Sequence, residues 1–206
     1  MNLAVVAGLR SRSVAGILYR AVDPKYLATA LGYSHAHLSA SRYYEGPAAA
    51  VPFDTVYLAE NPLVALFEVE ALFGSPLTPG GLTANPARSW LTINAQVQLT
   101  RVADLTDVTG SHSPLSTTAQ ELTGDWKGYR QRNAGTSVAA PVGAARTQAL
   151  GAALEANGLF EGFLAISAKM PWQMVLGVFP GRVSAGNFVR YSYQDSAGVT
   201  QTIQIP

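Results

Sequence analysis

Cysteine is missing from this chain, which excludes disulfides, a thiol nucleophile and thiolate-held metal sites. Charge is also scarce. Asp, Glu, Lys and Arg make up 13% of the 206 residues, against about 25% in an ordinary soluble domain, so few charges cover the outside and a partner, in a homo- or hetero-oligomer, is expected over part of it. The 14 basic residues stand singly and the formal net charge is +1, so the clustered positive footprint of a nucleic-acid binder is lacking. No apolar run reaches the ~18 residues that span a bilayer. Met1 to Arg10 has no basic stretch ahead of its short apolar patch, so no membrane partner is expected and the chain is read as starting at Met1 in a soluble compartment. What is present is 48% hydrophobic content, enough for a single domain over 1–206 with its own core.

Gly16 to Val22 is a short apolar run closed by Asp23-Pro24 and reads as a core strand. Leu31 to Pro52 has no period, and its Ser41-Arg42-Tyr43-Tyr44-Glu45-Gly46 patch sets a guanidinium beside two aromatic rings, as a binding loop would. Thr55 to Ala59 is a strand. Asn61-Pro62 is a helix start, since Asn caps and Pro suits the first helical position, and this helix is expected to run to Phe73 and stop at Gly74. Trp90 to Leu99 alternates, with Leu91, Ile93, Ala95, Val97 and Leu99 on one face and Thr92, Asn94, Gln96 and Gln98 on the other, as in a strand with one wet face.

Val102 to Thr106 leads into a polar stretch from Thr109 to Pro141, relieved by Leu122, Trp126 and Tyr129, which is expected to hold a short helix within mobile loops. Ala144 to Asn157 reads as a helix closed by Gly158 in the left-handed region. Phe163 to Ser167 and Met174 to Phe179 read as strands, and Phe188 to Tyr193 with Val199 to Ile205 as a hairpin around Asp195-Ser196-Ala197-Gly198. Strands outnumber helices without strict alternation. The expected class is therefore α+β, with mixed or antiparallel sheets and a few flanking helices.

Three polar residues interrupt apolar stretches far apart in sequence: Arg20 in Ile-Leu-Tyr-Arg, Glu68 in Val-Ala-Leu-Phe-Glu and Ser167 in Phe-Leu-Ala-Ile-Ser. Packing alone favours a hydrophobe at each, and a charge in such a place is paired or used. On the expected helix Glu68 falls between Val64 and Leu72 in an apolar stripe rather than on a solvated face. A plainer reading stands beside this one. Arg20 and Glu68 could form a structural ion pair, Ser167 could simply end a strand, Tyr57 could be core, and Arg42 could be a solvated loop charge.

The blocks Leu18-Tyr19-Arg20, Arg42-Tyr43-Tyr44, Val56-Tyr57-Leu58-Ala59-Glu60 leading to Ala65-Leu66-Phe67-Glu68, Val102-Ala103-Asp104-Leu105-Thr106, Arg146-Thr147-Gln148-Ala149-Leu150-Gly151 and Gly162-Phe163-Leu164-Ala165-Ile166-Ser167-Ala168 resemble, in order and spacing, those of the RES domain. The resemblance covers roughly Gly16 to Phe179. It implies an ADP-ribosyltransferase-like fold and a cytoplasmic bacterial toxin that consumes NAD⁺ as substrate, with no further cofactor, and is neutralised by a cognate Xre-type antitoxin. It carries the family's catalytic Arg, Glu and Ser onto Arg20, Glu68 and Ser167. Binding of the dinucleotide would fall to Arg20, Arg42, Tyr43, Tyr57 and Ser167. The family's usual Gly-Gly-Arg-Trp block stands here as Ala40-Ser41-Arg42-Tyr43.

The residue types suit that chemistry. Cleavage of the nicotinamide–ribose bond passes through an oxocarbenium-like state with a neutral leaving group, so a carboxylate beside the ribose matters more than a general acid. Glu68 could supply it, Arg20 could hold pyrophosphate, Ser167 could donate to phosphate or ribose, and Tyr57 could stack on nicotinamide. Water, inorganic phosphate or a protein side chain could be the acceptor. The alternatives are a protein ADP-ribosyltransferase and a non-catalytic interaction module on the same fold. Other constellations are poorer. His35 and His37 lack a third metal ligand, Ser167, His112 and Asp104 lack a nucleophile elbow, and Pro79-Gly80-Gly81 lacks the Lys of a phosphate loop.

Overall fold

A computed structural model of the chain describes residues 1–34, 38–75, 78–87, 89–127, 132–133, 136–137, 143–170 and 172–206. Its centre is a pair of long antiparallel strands, β1 (Ser11–Val22) and β5 (Leu91–Asp104), in register from Ser11 opposite Ala103 to Val22 opposite Leu91, with a shift between Arg12 and Val14. Around them lie β2 (Val56–Ala59), β8 (Gly162–Ile166), β9 (Met174–Val178), β10 (Phe188–Gln194) and β11 (Thr200–Ile205). The order in this seven-stranded sheet is β1-β2-β9-β8-β5-β10-β11, and β1 also pairs β5. Five strands thus close a circuit, and the β10–β11 hairpin continues outward from β5. Every pairing in it is antiparallel except β5 with β8.

Alternation along the strands divides the interior in two. Ile93, Ala95, Val97 and Leu99 of β5 enter one cluster with Leu58, Leu164, Leu176 and Val178. Phe163, Ala165 and Val175 face the other way, into a cluster with Tyr43, Phe179 and residues of α1 (Pro62–Glu68), α2 (Ser113–Leu115), α3 (Ala119–Thr123) and α4 (Arg146–Asn157). Phe163 is the hub of that second cluster, with its ring centroid 4.5 Å from Tyr43, 5.6 Å from Phe179 and 6.3 Å from Tyr57. This ring explains Gly177 on the neighbouring strand: a Cβ there would stand 2.4 Å from Phe163 Cζ.

The α+β reading and the order of elements agree with the sequence, and four boundaries or environments do not. β1 begins at Ser11, because its polar first half pairs β5 at Arg12, Val14 and Ala15 and needs no apolar run. β5 absorbs the Val102 segment, since Val102 to Asp104 pair β8. α1 ends at Glu68 rather than Phe73. Glu70 takes a left-handed φ of 58°, its N–H donates to the Phe67 carbonyl at 3.0 Å, and the Ala71 N–H donates to the Leu66 carbonyl at 2.9 Å. This is a Schellman closure with glutamate where glycine is usual. The chain then reverses into β3 (Leu72–Gly74), which pairs β4 (Leu82–Ala84), so Leu72 is no part of a helical stripe and Glu68 is solvent-exposed.

The fourth difference is the polar stretch after Thr106, whose first part is packed. A π-turn over Val108–His112 leads into α2 (Ser113–Leu115), with Ser111, His112, Leu115 and Leu122 all buried. Ser111 Oγ donates to the Asp104 carbonyl at 2.5 Å, and His112 Nε2 lies 2.6 Å from the Leu105 carbonyl. Short-range polar bonding gives these residues buried places that their composition does not advertise. The short strands β6 (Arg132–Asn133) and β7 (Thr136–Ser137) pair further on, while Tyr129 lies outside the described residues. The Asn61 cap, the α4 helix with Gly158 at φ 70° and the terminal hairpin follow the sequence reading.

Candidate active site

Arg20 comes from β1, opposite Ile93 of β5 and one residue after the Tyr19–Ala59 pair with β2. Its side chain is half-buried and its Nη1 reaches the Tyr57 carbonyl at 3.5 Å. Burial lowers its pKa to about 10, so it remains a cation at neutral pH with few protein partners. Among the described ion pairs none joins Arg20 to Glu68. The structural pair that the sequence allowed does not form.

Glu68 ends α1 and Ser167 follows β8. Ser167 Oγ donates to Glu68 Oε1 at 2.5 Å and accepts from the N–H groups of Lys169 at 3.2 Å and Met170 at 3.0 Å. A hydroxyl has one proton and two lone pairs, so Ser167 is fully engaged, and it is buried behind the carboxylate. It aims Glu68. The helix is fastened from the same loop, because Asn61 Nδ2 donates to Gln173 Oε1 at 2.5 Å while Asn61 Oδ1 caps the helix at the Val64 N–H.

Tyr57 on β2 carries the opposite wall. Its phenol lies 2.9 Å from Ser41 Oγ, its ring meets Phe163 edge-on, and burial pushes its pKa up to about 12, with the Ser41 bond opposing. Arg42 donates to the carbonyls of Leu122 at 3.4 Å and of Gly124, and so ties the 41–44 segment to the end of α3. Tyr43 packs on Phe163 with its hydroxyl buried and unpartnered, and burial raises its pKa. Tyr44 packs against Phe53 and does not line the site cavity, whereas the equally buried Tyr43 is among its lining residues. α4 holds the segment through Gln148, whose Nε2 donates to the carbonyls of Ser41 at 3.0 Å and Tyr44 at 3.3 Å. Gly151 permits that approach, since a Cβ there would fall 1.9 Å from the Tyr43 carbonyl oxygen.

These elements enclose a cavity of about 500 Å³, within the range of small-molecule sites, lined by Arg20, Arg42, Tyr57, Glu68, Trp126 and Lys169 among others. A carboxylate, a guanidinium and aromatic walls therefore face one space. Ser167 is not among its lining residues. His35 and His37 lie outside the described residues. The Ser167, His112 and Asp104 combination is not assembled, because Asp104 binds Thr106 and Arg12 while His112 binds the Leu105 carbonyl. Among the described residues no group of three or more His, Cys, Asp or Glu could hold a metal ion, and no helix is long and apolar enough to cross a membrane. Sequence reasoning gave no individual role to Ser41, Gln148, Glu70, Lys127 or Lys169. For Gln148 a signal existed: Gln three residues after a helix start is a capping pattern, and its Oε1 accepts from the Ala145 N–H at 2.9 Å.

The model of the RES domain matches residues 17–195, a span that includes Arg20, Glu68 and Ser167. This chain belongs to the RES family. Among solved structures, a chain of the M. tuberculosis MbcT-MbcA toxin-antitoxin complex shares the fold at a TM-score of 0.60 and 17% identity, over 98% of this chain and 90% of that one. No curated protein matches the sequence. Of the blocks along which this RES chain resembles its family, those on β1, the 41–44 segment, β2 with α1 and the end of β8 supply lining residues of the cavity, the α4 block holds the 41–44 segment from behind, and the Val102–Thr106 block does not line it.

Proposed function

We propose that this RES protein is a toxin that cleaves the nicotinamide–ribose bond of NAD⁺. The observation that carries the reading is the meeting of Arg20, Glu68 and Tyr57 at one cavity, with Glu68 aimed by the Ser167 hydroxyl rather than neutralised by Arg20. Arg20, a cation with a single long bond among the described residues, is free to take pyrophosphate oxygens through its planar fork. Tyr57 offers a fixed ring for nicotinamide. Glu68 then stands beside the ribose, where positive charge develops as the neutral leaving group departs, and its carboxylate stabilises that charge without giving up a proton. The open cavity favours catalysis over a purely binding use of the fold.

Nicotinamide release from NAD⁺ by the purified protein, measured with and without inorganic phosphate and beside Glu68→Ala, tests the reading. Release that Glu68→Ala abolishes is the expected result, and its dependence on phosphate separates phosphorolysis from hydrolysis. In cells, expression should arrest growth, and Glu68→Ala should relieve the arrest while the protein still accumulates folded. The fold shared with a toxin–antitoxin complex supports an antitoxin partner, which co-purification from the native host would identify. Absence of release in either buffer would sink NAD⁺ cleavage to free nicotinamide.

A further inference from the structure

Glu70 is at odds with its own backbone. It occupies the left-handed position that closes α1, at φ 58°, where a residue with a side chain is strained and glycine is the ordinary choice. Its carboxylate lies 3.2 Å from Lys169 Nζ and 3.6 Å from Lys127 Nζ, while Asn85 Nδ2 holds its carbonyl at 2.9 Å. All three charged side chains line the active-site cavity. They arrive from three separate segments: the end of α1, the stretch after α3, and the β8–β9 loop that also carries Ser167. The side chains are 48%, 66% and 44% exposed for Glu70, Lys127 and Lys169. Ion pairs that exposed contribute little to stability, so stability does not account for the strained glutamate.

The charges around the cavity suggest what does. Among the described residues four cations line it: Arg42 is committed to the carbonyls of Leu122 and Gly124, Arg20 beside Tyr57 is the one already assigned to the pyrophosphate, and Lys127 and Lys169 add to it with Glu70 as their shared anion. We infer that Lys127 and Lys169 form an anion subsite for the phosphates of the dinucleotide, occupied in the free protein by the Glu70 carboxylate as an internal competitor. The inference rests on the reading of the site as one for NAD⁺. When the diphosphate enters, its two negative charges replace the single one of Glu70, and the lysines exchange one anion for a stronger one. Glu70 thereby keeps the two ammonium groups converged on the mouth when no ligand is bound, at the cost of some affinity.

The consequence is opposite to that of an ordinary loss-of-contact mutation. Removing the Glu70 carboxylate should tighten binding. Calorimetry with ADP-ribose, inorganic pyrophosphate and nicotinamide riboside as probes, beside nicotinamide release from NAD⁺, provides the test. Lys127→Ala combined with Lys169→Ala is expected to weaken ADP-ribose and pyrophosphate by about tenfold, whereas Glu70→Gln and Glu70→Gly tighten both about threefold. Nicotinamide riboside, which has no phosphate, should bind all four proteins alike. Glu70→Gly should also melt at a higher temperature than the parent, since it relieves the left-handed strain. Unchanged ADP-ribose affinity in the double lysine variant overturns the inference. So does weaker binding in Glu70→Gln, or a parallel loss for nicotinamide riboside, because either marks Glu70 as a structural tie. Nicotinamide release with no response to the lysines sustains the cleavage reading and rejects the subsite. Lysine-dependent pyrophosphate binding without release does the converse.

Discussion

Two glutamates in this molecule receive opposite treatment. Glu161, just before β8, is fully enclosed, and its two oxygens accept from the Thr100 and Arg101 N–H groups, the Thr100 hydroxyl, the Ser184 N–H and Asn187 Nδ2 at 2.6–3.4 Å. Glu68 is exposed at a cavity and accepts one hydrogen bond, from the Ser167 hydroxyl. For Glu161, burial by itself would raise the carboxyl pKa, but the bond from Asn187 and those from the three backbone amides prevail and hold it at about 2. A carboxylate saturated with donors is a structural knot that joins β5, β8 and the turn before β10. A carboxylate held in position with its remaining lone pairs directed to open space is equipped to meet a ligand. The count of donors, and not the charge, separates the two.

The sharpest way to break this comparison is to remove each group in turn. Glu161→Ala leaves buried amides without an acceptor and is expected to cost about 4 kcal/mol or more of folding stability, read as a large fall in melting temperature or as insoluble protein. A melting temperature near that of the parent would show that the enclosed carboxylate is dispensable. Glu68→Gln should leave the melting temperature nearly unchanged while lowering nicotinamide release roughly 100- to 1,000-fold, about 3–4 kcal/mol of transition-state stabilisation. If the substitution instead unfolded the protein, Glu68 would belong with Glu161.

Acid tests Glu161 more gently. Because the folded pKa of Glu161 is depressed to about 2 from 4.5, its contribution is fully present above about pH 4.5 and is lost as pH falls toward 2, an effect of about 3 kcal/mol. Denaturation midpoints followed from pH 6 to pH 2 should show this loss in the parent. Ser167→Ala gives the smallest effect and lies between the two cases: it removes the proton that aims Glu68 and the acceptor of two turn amides, so about 1 kcal/mol of stability and about tenfold in turnover should go together. A loss of stability without a loss of turnover would reduce Ser167 to a turn residue.

Much of the architecture was legible in the chain. The alternation from Ile93 to Leu99, the Asn61-Pro62 start, Gly158 and the Asp195–Gly198 turn each state a local rule that the structure obeys. Where the reading failed, a tertiary contact decided. Nothing in Val69-Glu70-Ala71 signals a helix end, since the expected glycine comes only at Gly74, yet the helix closes at a strained Glu70 whose side chain binds lysines distant in sequence. Ser111 and His112 sit in a polar stretch and are buried because carbonyls of β5 and its exit lie within bonding distance. Glu161 drew no notice because its donors come from segments 23 to 61 residues away.

By itself, then, the sequence determined the secondary-structure periods, the α+β class and, through ordered blocks, the resemblance to the RES family to which the chain belongs. Those properties depend on near neighbours along the chain, where the repeat of side chains and the conformational preference of single residues act. Only the tertiary structure decided that Ser167 donates a hydrogen bond to Glu68, that Arg20 forms no ion pair with Glu68, that Tyr43 but not Tyr44 lines the cavity, and that Glu161 is saturated. A hydrogen bond depends on a few tenths of an ångström between groups that the chain brings together only when the sheet circuit closes, and no local pattern encodes that distance.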